Sequence, residues 1–286
     1  MNKTAIVMPA IGNRPWVKYT SNLFKKYAHN NNVDFILCSS YPSEGEYPFP
    51  DLPDTPGRPN KKAYALKPFL AYHYLKNYDK VAIVDDTCCI RPSAPNLFDQ
   101  IPENTLGAKR TGAEHWFISC STIATHTLLR KCPILHSSRF SKNIIRFGDR
   151  MGKLSYLSMK KAKIPLPTGK KYKREWYGNG GVRIYPKSFR NAFSPEQIQQ
   201  HSTLLFSNYP EQTLVYFLQI QNKIPFKSLP GTFNNKPGDN LPPHERVQLK
   251  TFHDMPNDES FVYHVTGAYK FRQELIASIC EELERS

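Results

Sequence analysis

The 286-residue sequence lacks any long hydrophobic run. No window approaches the roughly 18 consecutive apolar residues that a membrane-spanning helix requires. The N-terminal segment MNKTAIVMPAIGNRP holds only a short apolar run interrupted by Pro9, which is too weak for a signal peptide. These two absences predict a cytoplasmic protein and leave only peripheral contact with a membrane open.

Cysteine is also scarce, and its six copies are scattered along the chain. Adjacent Cys88 and Cys89 would point to opposite faces of a strand, and no pair has the C-x-x-C spacing of a zinc site. This distribution argues against a disulfide framework and against a cysteine-rich zinc site. We expect reduced thiols that behave as small apolar side chains.

Acidic residues are few, so 39 Lys and Arg against 24 Asp and Glu leave a formal net charge of +15. Much of this excess lies in residues 139–174, which hold twelve Lys or Arg and one Asp. Such a stretch attracts nucleic acid, an anionic membrane or a phosphorylated substrate. The alternative is a solvated, mobile insertion with no specific partner. Nucleic acid is the weaker candidate because no nucleic-acid-binding motif accompanies the charge.

The apolar pattern predicts an α/β fold. A strand at Thr4–Ile11, an amphipathic helix at 14–31 and a second strand, VDFILCSS, form a parallel βαβ unit. The proline-rich residues 41–60 read as a loop. The chain then predicts helices at KKAYALKPFLAYHYLKNYD, EQTLVYFLQIQ and FRQELIASICEELERS, and strands at KVAIV, IPFKSLP and FVYHV. HWFISCSTIAT is compatible with either a strand or a helix.

Three local features add detail to this pattern. Pro68 can lie near a helix start or force a kink. The glycines of WYGNGGVRIYP allow close backbone approach before a strand. The C-terminal helix is amphipathic, with one apolar face formed by Leu275, Ile276, Ile279, Cys280 and Leu283.

Two aspartates, Asp85 and Asp86, follow the KVAIV strand, and Thr87 comes next. Ligands of open α/β sheets bind at the carboxyl ends of strands. Carboxylates there suit Mg²⁺ or Mn²⁺, although acids at a strand end also serve as turn residues.

The segment VYHVTGAYK presents His264, Gly267 and Lys270 at three-residue intervals after another apolar run. These residues offer an imidazole for a divalent metal, a glycine that lets the backbone approach an anion, and a cation for phosphate. The alternative for His264 is a core histidine that is hydrogen-bonded at a strand end. The pattern alone is too short to decide.

Five blocks in a fixed order carry a more specific signal. They are KNYDKVAIVDDTCCIRPSAPNLFD, YGNGGVRIYP, PEQTLVYFLQ, LPGTFNN and YHVTGAYKFR. In this order the chain, from about Ala63 to Arg272, resembles the family-eight retaining glycosyltransferases of the GT-A fold, the type of glycogenin and lipopolysaccharide galactosyltransferases. The resemblance implies one GT-A domain over residues 1–286, with a Rossmann-like mixed sheet flanked by helices. Residues 1–120 would mainly bind the nucleotide-sugar, and residues 121–286, with the basic insertion 139–174 and the C-terminal helix, would mainly form the acceptor side.

The resemblance also assigns metal ligands. Asp85 matches the first acid of the family's D-x-D motif, and His264 matches its third ligand. Thr87 stands where the second acid is expected, which should weaken metal binding unless Asp86 compensates.

Further residues match the family's donor site. Gly267, Lys270 and Lys67 would hold the diphosphate, and Asp86, with Met8 and Ala10 of the first strand, would also contact the nucleotide-sugar. Asn179, Glu211 and Gln212 would lie beside the reacting sugar. The alternatives are a turn residue for Asn179 and an acid that complements a helix dipole for Glu211.

The resemblance thus predicts the transfer of a hexose from a nucleotide-sugar, with UDP as the expected nucleotide, to a hydroxyl of a glycan, lipid or protein acceptor. Mn²⁺ or Mg²⁺ would assist, and the anomeric configuration would be retained. The basic stretch would serve an anionic acceptor or surface. The alternative, supported by Thr87, is a catalytically weak module that binds a nucleotide-sugar or glycan.

Overall fold

The structure of the protein is a computed structural model. The structure describes residues 3–41, 61–131, 138–162, 173–238, 241–255, 260–266 and 269–285. Within these residues, none of the helices combines the length and the apolar character that crossing a bilayer requires.

A six-stranded mixed sheet lies at the centre of the described chain, in the order β2-β1-β3-β6-β5-β7. Its strands are β1 Thr4–Pro9, β2 Asp34–Cys38, β3 Lys80–Val84, β5 Leu106–Arg110, β6 Gly178–Pro186 and β7 Phe226–Ser228. Strand β1 is parallel to both β2 and β3, which confirms the predicted βαβ unit. Strand β6 runs antiparallel to β3 and β5, and this pairing brings the start of β6 beside the end of β3.

A second sheet of three short strands has the order β4-β9-β8. Its strands are β4 Cys88–Ile90, β8 Phe233–Asn235 and β9 Val262–His264. Strand β4 pairs antiparallel with β9, with Cys88 opposite His264. Because β4 follows β3 after a tight turn, this pairing carries the end of β9 to the end of β3.

Helices cover both faces of the central sheet. They are α1 Val17–Asn30, α2 Lys61–Tyr74, α3 Ala113–Arg130, α4 Ser138–Lys161, α5 Pro195–Gln200, α6 Pro210–Gln221, α7 Pro243–Arg246 and α8 Arg272–Arg285. Alternate residues of each central strand enter two separate apolar clusters, so the sheet has a core on each face. Helices α1 and α8 pack in one core, and helices α2 and α6 pack in the other. The predicted mixed α/β architecture is therefore confirmed.

Several local predictions meet a definite outcome. The C-terminal helix buries the five residues of its predicted apolar face, Leu275, Ile276, Ile279, Cys280 and Leu283. The segment HWFISCSTIAT belongs to helix α3. Pro68 lies inside helix α2 rather than at its start. Residues 138–161 of the basic stretch form helix α4, where the sequence suggested a mobile insertion as one alternative.

Candidate active site

The ends of strands β3 and β9 and the start of β6 meet at one edge of the central sheet. The backbone N–H of Asp85, directly after β3, donates to the carbonyl of Gly181 in β6 over 2.8 Å. The N–H of Cys88 returns to the carbonyl of Asp85 over 3.0 Å and closes the turn into β4. Register with β9 then places His264 next to Asp85, and the Nε2 and Oδ2 atoms of the two residues are 3.0 Å apart.

Asp85 also contacts a cation from helix α2. Its Oδ1 atom forms an ion pair with the Nζ atom of Lys67, and that ammonium donates a second hydrogen bond to the Gly180 carbonyl over 3.0 Å. Burial favours the neutral carboxyl, but the Lys67 charge and the adjacent His264 outweigh it and hold the pKa of Asp85 well below its usual range. Asp85 is therefore an anion at neutral pH.

A chain of side-chain amides orients the imidazole of His264. The Gly181 backbone N–H can only donate, and it donates to Asn179 Oδ1 over 2.7 Å. The same oxygen accepts from Asn234 Nδ2 over 3.1 Å, so Asn234 Oδ1 is turned toward His264 Nδ1 at 2.9 Å. Nδ1 must then carry the proton. Nε2 is then the ring nitrogen that lies 3.0 Å from Asp85 Oδ2.

Asn234 has an unusual backbone for a residue with a side chain. Its φ angle is 121°, in the region that favours glycine. Backbone strain of this kind persists where the surrounding structure holds it, and it is frequent at functional sites. Here the strained residue is the one that fixes the His264 ring.

Two glycines let these groups approach one another. A Cβ atom on Gly181 would overlap the His264 ring and lie 2.8 Å from Asn234 Oδ1. A Cβ atom on Gly180 would overlap the carboxylate of Glu211. The sequence predicted close backbone approach at these positions, and the structure shows that the neighbours are the candidate site residues themselves.

Glu211 lies in the first turn of α6 and is 4% exposed. Its Oε1 atom forms an ion pair with Arg183 Nη1, and Arg183 Nη2 donates to the Gly178 carbonyl over 2.8 Å. Strand alternation places Arg183 on the face of β6 that α6 covers. Sequence reasoning missed Arg183, although a charged residue within the apolar strand GGVRIYP is a recognisable signal.

A cavity of about 330 Å³ opens between these elements. Six predicted residues line it: Lys67, Asp85, Asn179, Glu211, Gln212 and His264. The buried Oε1 atom of Gln212 has no hydrogen-bond partner among the described residues. The alternative of a turn residue does not apply to Asn179, which is part of extended strand β6. Glu211 meets both descriptions, because it is an acid in the first turn of α6 and also lines the cavity.

Other lining residues carried no local signal in the sequence. They include Tyr64, His115, Asn208, Tyr209, Lys236 and Thr266. Lys236 makes no ion pair with a described carboxylate. The His115 and Tyr209 rings stack with centroids 4.1 Å apart, and burial followed by the Lys236 charge lowers the pKa of His115.

Other predicted residues lie away from this cavity. Asp86 pairs with Arg14, 3.4 Å from Oδ2 to Nε, and burial and the Asp85 charge raise the pKa of Asp86. Thr87 is buried and uses its carbonyl to accept from the Val265 N–H over 3.0 Å. Lys270 is exposed, with Nζ 5.0 Å from the centre of the Phe271 ring.

The predicted contacts of the first strand also lie elsewhere. Met8 is fully buried in the core beneath α1, and Ala10 follows the end of β1. Neither residue lines the cavity. Gly267 lies outside the described residues.

The resemblance implies a divalent cation, and the site offers two donors for one. A carboxylate and an imidazole suit Mn²⁺, and the Nε2 atom of His264 and the Oδ2 atom of Asp85 face each other at 3.0 Å. Among the described residues, no group of three His, Cys, Asp or Glu side chains is placed so that it could hold a metal ion. Asp85 and His264 therefore fit a cation that takes its other ligands from substrate oxygens and water, as Mg²⁺ commonly does at phosphate sites.

A second cavity, of about 750 Å³, lies between helices α3 and α6. Its described lining is mainly apolar with a cationic rim, and it includes Ile123, Trp176 and Phe217 together with Arg130 and Lys173. No described lining residue is an acid. Among its described lining residues this cavity therefore lacks the carboxylates that distinguish the cleft around Asp85.

No protein-family model and no curated protein sequence matches the chain. Solved structures similar to it include a glycosyltransferase involved in glycosylation of the major capsid of PBCV-1, with 11% identity, a TM-score of 0.46 and coverage of 99% of this chain and 100% of that one. Another is the galactosyltransferase LgtC with donor and acceptor sugar analogs, with 16% identity, a TM-score of 0.49 and coverage of 98% and 94%. A third is mouse xyloside xylosyltransferase 1, with 11% identity, a TM-score of 0.44 and coverage of 93% and 99%.

Proposed function

We propose that the chain is a glycosyltransferase that moves a hexose from a nucleotide-sugar, with UDP as the expected nucleotide, to a hydroxyl acceptor. One observation carries the proposal. Six residues assigned from separate parts of the sequence line one cavity, where the anionic Asp85 carboxylate lies 3.0 Å from the His264 imidazole. Residues that far apart in sequence share a cavity only because of the tertiary fold.

The leaving diphosphate would lie against the cationic side of the cavity. When the bond between the sugar and the diphosphate breaks, its electron pair stays on the phosphate oxygen. The Lys67 ammonium, held by Asp85 and the Gly180 carbonyl, favours that negative charge, and Lys236 supplies a second cation at the cavity wall. Lys236 lines the cavity, whereas Lys270, to which the resemblance assigned the diphosphate, lies outside the described lining.

A divalent cation held by Asp85 and His264 would add further neutralisation of the diphosphate. Asn234 contributes by keeping the Nε2 lone pair of His264 available. Lys67 contacts the other carboxylate oxygen, so Asp85 can serve both cations at once.

The sugar would lie against Gln212 and Glu211. Its anomeric carbon becomes electron-poor as the bond breaks, and nearby oxygens with negative or partial negative charge stabilise it. Gln212 Oε1 has no partner among the described residues and is free to do so, whereas Glu211 is held by Arg183 and acts through its charge. The acceptor hydroxyl oxygen would form the new bond to the same carbon, and its proton would pass to the phosphate oxygen that leaves.

A donor-hydrolysis panel tests the proposal. The purified chain is incubated with UDP- and GDP-sugars, with Mn²⁺ or with a chelator, and release of nucleoside diphosphate is measured. Turnover of one UDP-sugar that falls in the chelator supports the proposal. Turnover that persists in the chelator would retain the transferase and remove the metal, leaving Lys67 and Lys236 to neutralise the leaving group.

The binding module is the second candidate, and the position of Thr87 outside the described cavity lining favours it because the site then has two metal donors rather than three. Calorimetry separates the candidates. Saturable binding of a UDP-sugar with neither hydrolysis of that sugar nor its transfer to any tested glycan would establish the module and overturn the transferase.

A further inference from the structure

Helix α4 exposes its large apolar side chains to solvent. Phe147, Met151, Leu154 and Leu157 are 62%, 44%, 59% and 47% exposed. Their spacing of four, three and three residues places them along one side of the helix. Exposed apolar residues that form a stripe mark an interaction surface, whereas single ones do not.

The opposite side of α4 faces the protein and consists mainly of small or polar residues. Gly148 lies against Thr125 of α3, and Gly152 lies against Ser121 of the same helix. Asp149 is buried, accepts a hydrogen bond from Thr122, and accepts another from the backbone N–H of Asn208 over 2.6 Å. On this side Ile145 is fully buried beside Leu129 and Phe206, whereas the four exposed apolar side chains point away from the core.

The charge on the helix is of one sign. Between residues 141 and 161 the cations are Lys142, Arg146, Arg150, Lys153, Lys160 and Lys161. The only acid in that range, Asp149, is buried. At 100° per residue, Arg146 and Lys153 lie along the flank of the apolar stripe next to Leu157, and Arg150 lies at that edge of the stripe itself, between Leu154 and Leu157.

From this arrangement we infer that α4 binds the surface of an anionic lipid bilayer. An interfacial helix inserts an apolar stripe among the acyl chains and places Lys and Arg at the headgroups. The stripe supplies the apolar contact, and the flanking cations complement a negatively charged surface. A second copy of the chain fits this face poorly, because it would bring two cationic flanks together.

Membrane binding through α4 would also position the candidate active site. Asn208, whose N–H is held by Asp149, lines the cavity that contains Asp85 and Gln212. The cavity would therefore remain close to the bilayer. The inference itself rests on the exposed surface of α4 and not on the proposed sugar chemistry.

Vesicle sedimentation of the full chain tests the inference. Wild-type protein is mixed with vesicles of phosphatidylcholine alone or with phosphatidylglycerol, at low and at physiological salt. Binding to the anionic vesicles that weakens with salt is expected. Replacing two stripe residues, Phe147→Gln with Leu154→Gln, should weaken it at least about tenfold, because each apolar side chain contributes through its buried area. Replacing Arg150→Gln or Lys153→Gln should weaken it about fivefold each.

Leu37→Gln is the matched control, since Leu37 is 39% exposed on strand β2 and lies outside the stripe. It should bind vesicles like the wild type. Equal binding to neutral and anionic vesicles, or wild-type binding by the Phe147→Gln, Leu154→Gln double variant, would overturn the inference. So would a wild-type dimer, seen by light scattering, that the double variant loses, because the stripe would then be a contact between copies.

Discussion

The Oδ1 atom of Asn234 lies 2.9 Å from the Nδ1 atom of His264, and this contact decides which ring nitrogen faces Asp85. The Nε2 atom is left 3.0 Å from the Asp85 carboxylate. A ring lone pair and a carboxylate anion repel each other at this distance. The contact is therefore favourable only when a bound cation or a proton on Nε2 accompanies it. The strained backbone of Asn234 thus helps to fix the His264 nitrogen at which a cation would bind beside Asp85.

Removal of the imidazole tests this connection. His264→Ala should lower donor turnover about a hundredfold or more, because one charge-stabilising group is lost at the leaving phosphate. Circular dichroism should show an intact fold. His244→Ala, at an exposed histidine, is the control and should keep wild-type turnover. Wild-type turnover in His264→Ala would contradict the assignment.

The close approach of Gly181 gives a second prediction. Gly181→Ala should displace the His264 ring, and a misplacement of about 1 Å can cost roughly a hundredfold in rate. Gly231→Ala has open space around its added Cβ atom and should keep normal kinetics. Kinetics of Gly181→Ala that match those of Gly231→Ala would show that His264 does not need its observed position.

The buried Arg183–Glu211 ion pair predicts a strong effect on stability. Arg183→Met should lower the free energy of unfolding by about 3–5 kcal/mol, because it leaves Glu211 buried without its counter-charge. Adding Glu211→Gln should recover part of this loss, although the site residue itself is then changed. Urea unfolding of the two single variants and the double variant measures the coupling, and strictly additive losses would show that the pair is not coupled.

His201 predicts a dependence of stability on pH. Burial, followed by the charge of Arg130, lowers the pKa of His201 from its ordinary 6.5 to about 4. The unfolded chain therefore binds a proton that the folded chain resists, so stability is complete above pH 6.5 and falls as the pH drops toward about 4. The loss reaches about 3 kcal/mol at most.

Urea unfolding between these pH values measures the loss for the wild type. His201→Gln should remove this part of the slope, whereas His244→Gln, at an exposed site, should keep it. An unchanged slope in His201→Gln would show that His201 does not resist protonation in the fold.

Local patterns predicted much of the architecture. Apolar periodicity predicted α6 and α8, and β-rich runs predicted β3 and β9, because a segment with one apolar face has few ways to bury it. The glycines of WYGNGGVRIYP predicted close packing before the strand was seen. The sequence did not decide between a strand and a helix for HWFISCSTIAT, because its apolar residues fit the spacing of both.

The candidate site could be predicted in part. Asp85, His264 and Lys67 lie together, as the resemblance implied. Lys270 is exposed near Phe271 and outside the described cavity lining, so its assignment to the diphosphate stays a prediction, whereas Lys236 lines the cavity. Lys270 lies next to a motif, and Lys236 lies directly after β8. The sequence does not distinguish the two, because no local pattern predicts which loop lines the cavity.

By itself, the sequence determined the α/β class, the strand end that carries Asp85, and the concentration of positive charge in residues 139–174. These are local properties of composition and period. Only the tertiary structure decided that Asn234 orients His264, that Arg183 holds Glu211, and that α4 turns its apolar side outward. Each of these depends on contacts between segments far apart in the chain, and such contacts are selected by packing of the whole core rather than by neighbouring residues.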